Sequence, residues 1–429
     1  MNAWRFLFRN DRGPVGAGAR LLALGLVLVL ASRAPAAAAE RAGGTTAFSA
    51  EAAYQHVVQL AAAIGSRPAG SAAEAAAAEY LASQLASYGY RVEVQPFTIQ
   101  LYEERGARIT PLAADLPPIE TAALLYSADG TVRGELADAG RGRAGDWPPG
   151  ALAGRVALVE RGEVSFADKV ANVAAAGAVA AIVYNHEPGG FSGSLQRRSA
   201  IPAVALDREQ GLALRTRLAE GPLAVEVTVD ASVLQRESRN VVATRAGTQS
   251  CAIVVGGHYD SVPTGPGAND NASGAATVVE VARVMAARPH PCTLYFVTFG
   301  AEEIGLRGSQ HFVQALPETT RQTVRAMLNL DMVGVGSEWR IAGDEALVAQ
   351  ARAVAAALGV EARFAQAAGA SSDHESFARV DIPVLFLHRT PDPNYHSPRD
   401  LPEYVEPDAL AVAGQLTLGV LERLAAPNE

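Results

Sequence analysis

The sequence predicts an α/β fold: a mostly parallel sheet covered by helices on both faces, interrupted by a small inserted β-rich α/β domain. Three observations predict it. From about residue 240 onward, short apolar β-type runs alternate with helical stretches, as in strand–helix crossovers. Between 118 and 233 that rhythm gives way to short β-type runs split by Gly and Pro clusters. The chain of 429 residues also exceeds the roughly 250 to 300 that one hydrophobic core organises. The expected main domain is therefore discontinuous, 40–117 with 234–429, and the insertion is 118–233.

Ahead of both, residues 1–39 read as an address. Arg5, Arg9, Arg12 and Arg20 precede the apolar run 21–31, and small residues follow, including Ala34-Pro35-Ala36. That order predicts a secretory signal peptide and an exported protein, periplasmic or extracellular. The apolar run is well short of the roughly 20 residues a spanning helix needs, and it holds no cysteine for lipid attachment. A helix is expected over 72–88, rich in Ala, Leu and Glu, with Gly89 where a C-terminal cap glycine belongs. A strand over 91–97 alternates Val92, Val94 and Pro96 on one side. The insertion shows β-type runs at 156–159, 180–184, 203–206 and 223–229 around a helical stretch at 165–176. The second half reads as strands at 240–244, 252–257, 293–299, 326–331 and 382–387, with helices at 273–287, 306–315 and 407–425.

Composition narrows the function. With 49% apolar and 19% charged residues the chain can bury enough surface to fold. The net charge is −9 although five Arg and only one Asp lie in the first 39 residues, so the remainder is more acidic still. Such a body has no general attraction to nucleic acid or anionic lipid. Cys251 and Cys292 are too few for a disulfide scaffold or a cysteine-built zinc site. Each opens an apolar β-type run, and adjacent parallel strands would bring those starts together, so a disulfide between them is expected.

Chemistry concentrates just past the apolar strands. His258-Tyr259-Asp260, Glu302-Glu303 and Asp331 each follow one, Asp270 sits in a turn-rich loop entering a helix, and His396 arrives late. Beyond the carboxyl ends of parallel strands, such side chains converge on one crevice. The adjacent glutamates follow a run too apolar to end in water, and two carboxylates in a cleft repel unless a cation is present. Imidazoles with carboxylates and no thiolates suit zinc in a catalytic site, and the spacings require that the fold assemble it. His56, His186, His290, His311 and His388 read as structural histidines.

Six blocks, in order, resemble the secreted di-zinc aminopeptidases of the bacterial leucyl aminopeptidase and aminopeptidase Y kind. They are Gly257-His258-Tyr259-Asp260-Ser261, Gly267-Ala268-Asn269-Asp270-Asn271-Ala272-Ser273-Gly274, Phe299-Gly300-Ala301-Glu302-Glu303-Ile304-Gly305-Leu306, Asn329-Leu330-Asp331-Met332-Val333-Gly334, Ser372-Asp373-His374-Glu375-Ser376-Phe377 and Tyr395-His396-Ser397-Pro398-Arg399-Asp400. The resemblance implies two zinc ions, one held by His258 and Asp331, the other by Glu303 and His396, with Asp270 bridging. It implies that Asp260 orients the His258 imidazole, that Glu302 is the general base on water, and that Tyr395 donates to the oxyanion. Asp373 is left as either a substrate contact or a pocket support. The substrate implied is a peptide with a free N-terminus.

The stretches 154–162, Phe166, Lys169-Val170, 176–178, 182–185 and 201–204 resemble the protease-associated domain. Val164 or a neighbour stands where many members carry a cysteine, so a local disulfide of that domain is absent. The insertion's partner is left open, as is an insertion without one. Related readings are a glutamate-carboxypeptidase-like exopeptidase, a glutaminyl cyclase and a non-catalytic receptor of the transferrin-receptor kind. The loop around Asp270, Tyr395 where the cyclases have tryptophan, and the complete ligand series favour the peptidase.

Overall fold

The computed structural model describes residues 47–113, 116–365 and 371–425. The expected signal peptide therefore lies outside the described residues. Thirteen strands form the sheet system: β1 (Arg91–Pro111), β2 (Ile119–Ala123), β3 (Gly130–Asp138), β4 (Val156–Glu160), β5 (Ala180–Tyr184), β6 (Ala203–Leu206), β7 (Ala224–Arg245), β8 (Ala252–His258), β9 (Thr293–Phe299), β10 (Val324–Leu330), β11 (Glu338–Gly343), β12 (Ala362–Ala365) and β13 (Val384–Thr390). Their order is β1-β2-β6-β5-β4-β3-β7-β9-β8-β10-β13-β11-β12, and β1 also pairs with β7. That extra pairing closes the first seven strands into a ring, with the rest forming an open sheet beyond β7.

The open sheet is parallel where it matters for function. β9, β8, β10 and β13 run side by side in one direction, while β7 and β11 flank them antiparallel. β8 is buried along its whole length, as its unbroken apolar run Ala252-Ile253-Val254-Val255 requires of a strand covered on both faces. Helices Gly274–Ala286 and Pro407–Ala425 bury apolar residues in the same large core as β8 and β10. Cys251 and Cys292 lie at the starts of β8 and β9 and are joined by a disulfide, their Cα atoms 4.6 Å apart.

The sheet system as a whole is mixed, and much of its antiparallel pairing comes from the length of two strands. β1 was expected to end near 97 but continues to Pro111, and the runs at 223–229 and 240–244 prove to be the two ends of β7. These strands pair antiparallel from Arg91 with Thr244 to Pro111 with Val225. The middle of β7, Ser232 to Arg239, is largely polar and half-exposed, so it carries no apolar alternation to announce a strand. Backbone pairing with β1 supplies what the side chains do not. Within the ring, β3, β4, β5 and β6 are parallel, with helix Phe166–Ala175 connecting β4 to β5 and helix Arg208–Glu220 leading from β6 to β7.

Candidate metal centre

Four elements end at one crevice. His258 is the last residue of β8, Asp331 follows β10 directly, Glu302 and Glu303 lie in the turn after β9, and His396 follows β13. Asp270 comes from the loop between β8 and helix Gly274–Ala286. The pocket over them, about 360 Å³, is also lined by Met332, Phe386, His388, Asp392 and Tyr395. β8 lies at the centre, with β9 on one side and β10 on the other, so these carboxyl ends face a common opening.

Asp270 divides the cluster in two. Its Oδ1 lies 3.2 Å from His258 Nε2, and its Oδ2 lies 3.1 Å from His396 Nε2. On the first side Asp331 Oδ1 stands 3.5 Å and Glu302 Oε2 3.9 Å from His258 Nε2. On the second, Glu303 Oε2 stands 3.1 Å from His396 Nε2. Sharp turns aim these groups: Ala301, Met332 and His396 all adopt left-handed backbone angles, φ 56°, 55° and 52°. A non-glycine residue pays about 1–2 kcal/mol for that conformation, so surrounding contacts must hold it.

Those contacts are specific. The Asp400 carboxylate accepts from the N–H groups of Asn269 (2.7 Å) and Asp270 (3.0 Å). Asn271 Nδ2 donates to Leu330 O at 2.9 Å, and its Oδ1 accepts from Gly274 N–H and Met332 N–H. The Asp270 loop is thereby tied to the end of β10. A side chain at Gly257 or Gly274 would meet Leu330 O at 2.4 or 2.2 Å, so both positions must be glycine. Ser372 Oγ donates to Asp331 Oδ2 at 2.6 Å. Asp260, fully buried, accepts from Glu302 N–H (3.0 Å) and Glu303 N–H (3.3 Å), and its Oδ1 lies 3.5 Å from His258 Nδ1.

The electrostatics call for a cation. Burial pushes Glu302 well above the usual carboxylate range and Glu303 up to about 8, with neighbouring carboxylates adding to both. Burial works against a charged His258, yet Glu302 and Asp331, with hydrogen bonds to Asp260 and Asp270, together push the imidazole well up. Burial likewise opposes a charged Asp270, but hydrogen bonds from His258 and His396 hold it well below its ordinary value. His396 is raised chiefly by its hydrogen bond to Asp270, with burial opposing. Two buried oxygens, Glu303 Oε1 and Asp331 Oδ1, have no hydrogen-bond partner. A cluster of carboxylates and imidazoles with orphaned oxygens fits divalent zinc, which prefers N and O ligands of this kind.

Every residue singled out as a ligand, His258, Asp270, Glu303, Asp331 and His396, lies in the pocket lining, as do Glu302 and Tyr395. Tyr395 is half-exposed and stacks on His396, ring centroids 3.8 Å apart. Asp373 is fully buried and outside the lining, and burial pushes its carboxyl up to about 7. His388, read as structural, also lines the pocket, with Nδ1 2.9 Å from Asp331 O and its ring stacked on Phe386. Sequence reasoning missed Arg67, Ser372's bond to Asp331, and Asp400. Arg67 is completely buried and donates to the carbonyls of Tyr259, Leu60, Gly65, Pro266 and Gly267. Nothing in Ile64-Gly65-Ser66-Arg67-Pro68 signals that task, because its partners are main-chain atoms as far away as residue 267.

Comparison with known proteins agrees with this geometry. The model of peptidase family M28 matches residues 240–421, and that of the PA domain matches 121–214. Aminopeptidase YwaD of Bacillus subtilis is 32% identical over 401 residues, 86% of this chain and 83% of the relative. The aminopeptidase structure from Aneurinibacillus sp. strain AM-1 is 34% identical with a TM-score of 0.79, covering 89% of this chain and 95% of that one. A zinc aminopeptidase structure from Bacillus subtilis is 30% identical with a TM-score of 0.69, covering 89% and 96%. Glutaminyl cyclase of Porphyromonas gingivalis, 17% identical at a TM-score of 0.50, shares the fold alone. Fold and site together define a zinc-dependent metallopeptidase of the aminopeptidase class. The chain belongs to peptidase family M28, with a PA domain set inside that architecture.

Proposed function

We propose that this chain is an exported di-zinc aminopeptidase that removes N-terminal residues from peptides. His258 and Asp331 would hold one zinc ion and Glu303 and His396 the other, with Asp270 shared between them. The observation that carries the reading is the division of Asp270, one oxygen against each histidine. Five ligand side chains are also too many for a single tetrahedral zinc that keeps an open position. Two zinc ions bound here would polarise a scissile carbonyl and lower the pKa of water toward neutrality.

The chain's own side chains divide the remaining work. Glu302, in the pocket lining and outside the ligand set, takes a proton from the attacking water and passes it to the leaving amine. Tyr395 hydroxyl donates to the oxygen that gains charge in the tetrahedral state. Asp260 holds His258 from behind and anchors the turn that carries both glutamates. Asp373 supports the pocket from the interior. The surplus of carboxylates favours the α-ammonium of a free N-terminus, which selects an exopeptidase.

Replacement of the two adjacent glutamates tests these roles. Glu302→Ala is expected to keep both zinc ions while kcat on a leucyl anilide falls by roughly 10²-fold or more. Glu303→Ala is expected to lose zinc. Metal analysis of the two proteins beside their kinetics decides it: Glu302→Ala with near-normal turnover, or stripped of metal, ends the assignment. Export is read from residues 1–39, and the N-terminal sequence of protein recovered outside the cytoplasm tests it.

A further inference from the structure

Glu303 lines two cavities. Besides the pocket over the centre, it borders a cleft of about 600 Å³ that runs away from it toward the inserted domain. That size lies within the roughly 300–1,000 Å³ of small-ligand sites. The cleft walls are mainly apolar: Leu101 and Tyr102 of β1, Leu125 and Tyr126 of the inserted domain, and Ile304, the neighbour of Glu303. Tyr102 and Tyr126 lie with ring centroids 5.9 Å apart, and Leu125 is 46% exposed, an apolar side chain left open to the cleft. An aminopeptidase has one residue ahead of the bond it cuts, so the rest of the substrate must leave the centre by another route. Among the described residues Glu303 alone lines both cavities, which puts the start of that route beside it.

We propose that this cleft receives the side chain of the second residue of the substrate peptide, and that Leu125 and Tyr126 make the inserted domain a selector for an apolar residue there. The proposal rests on the aminopeptidase reading above and adds the substrate class to it. An extended peptide advances about 3.3 Å per residue with side chains alternating in direction, so a cleft open beside Glu303 meets the second residue first. Binding energy from that contact acts on the reacting bond only when the peptide spans both cavities.

Four substrates and two variants test it. The measured quantity is kcat/KM for Leu-Phe-Gly-Gly divided by that for Leu-Gly-Gly-Gly, with Leu-Asp-Gly-Gly as the charged comparison. Leucinamide, which carries nothing into the cleft, reports on the centre itself. The wild-type ratio is expected to be roughly 10 or more, the scale of filling an apolar subsite, with the aspartyl peptide poorest. Leu125→Ser and Tyr126→Asn are expected to bring the ratio toward 1. Asn is chosen because Tyr126 has φ 69°, a conformation asparagine tolerates. A wild-type ratio near 1, or a ratio unmoved in both variants, overturns the proposal while leucinamide turnover leaves the aminopeptidase reading standing. Loss of all four activities from zinc-loaded wild-type protein removes that reading and the proposal with it.

Discussion

Asp260 accepts hydrogen bonds from two backbone N–H groups of the glutamate turn and also lies against His258 Nδ1, so one carboxylate positions side chains from two strands. Asp260→Asn turns one acceptor oxygen into a donor facing an N–H. Zinc affinity is expected to fall by roughly 10- to 100-fold with Glu302 still in place, as chelator competition would measure. Arg67 is a different case. Burial pulls its guanidinium down to about 10, while Asp260, Asp400, Asp270 and Glu303 pull it back up. Three of its five carbonyl acceptors, Tyr259, Pro266 and Gly267, belong to the segments that carry His258 and Asp270, and the other two, Leu60 and Gly65, to the turn of chain just before Arg67. Arg67→Lys offers three donors for those five, and each buried carbonyl left without one costs about 1–3 kcal/mol. The variant is expected to unfold at clearly lower urea, with a loss of more than about 3 kcal/mol. An unchanged midpoint would show that water replaces the guanidinium.

Among the elements, helix Ala50–Val57 carries a titration outside the pocket lining. Its His56 is buried, with Nδ1 2.6 Å from the Tyr80 hydroxyl. Burial depresses the imidazole to about 4, with Glu280 opposing. Because the folded value lies below the ordinary 6.5, the unfolded chain binds the extra proton first as pH falls. The contribution is therefore fully present above about 6.5 and is lost as pH drops through 6.5 toward 4. His56→Gln is expected to flatten the dependence of unfolding free energy on pH across that window, read from denaturation at pH 7.5 and 5. An equally steep variant would place the sensitivity elsewhere. β1 and β7 illustrate what an element's own residues do not announce: their exposed, polar middles become strand only because each has the other as partner.

For the whole molecule, the Cys251–Cys292 disulfide closes a segment of 41 residues and ties the starts of two central strands. Reduction, or the double replacement by alanine, is expected to lower unfolding stability by about 2–4 kcal/mol, mainly by freeing the unfolded chain. Equal denaturation midpoints with and without reductant would refute that. The bond lies at the opposite end of β8 from His258, so zinc content is expected to stay the same in the reduced protein.

The sequence by itself determined the core strands and the residues proposed as ligands. β8 is buried throughout and β9 and β10 along most of their length, so they read as largely apolar runs, and a change of chemistry marks their ends. His258, Glu302, Glu303 and Asp331 were legible for that reason, and Asp270 and His396 through the blocks around them. Only the tertiary structure decided that β1 and β7 extend through both regions, that His388 enters the pocket, and that Arg67, Ser372 and Asp400 hold the ligand segments. These roles depend on which distant main-chain and carboxylate groups come within about 3 Å, the reach of a hydrogen bond. Hydrophobic periodicity records burial along one element; contacts between elements hundreds of residues apart leave no period to read.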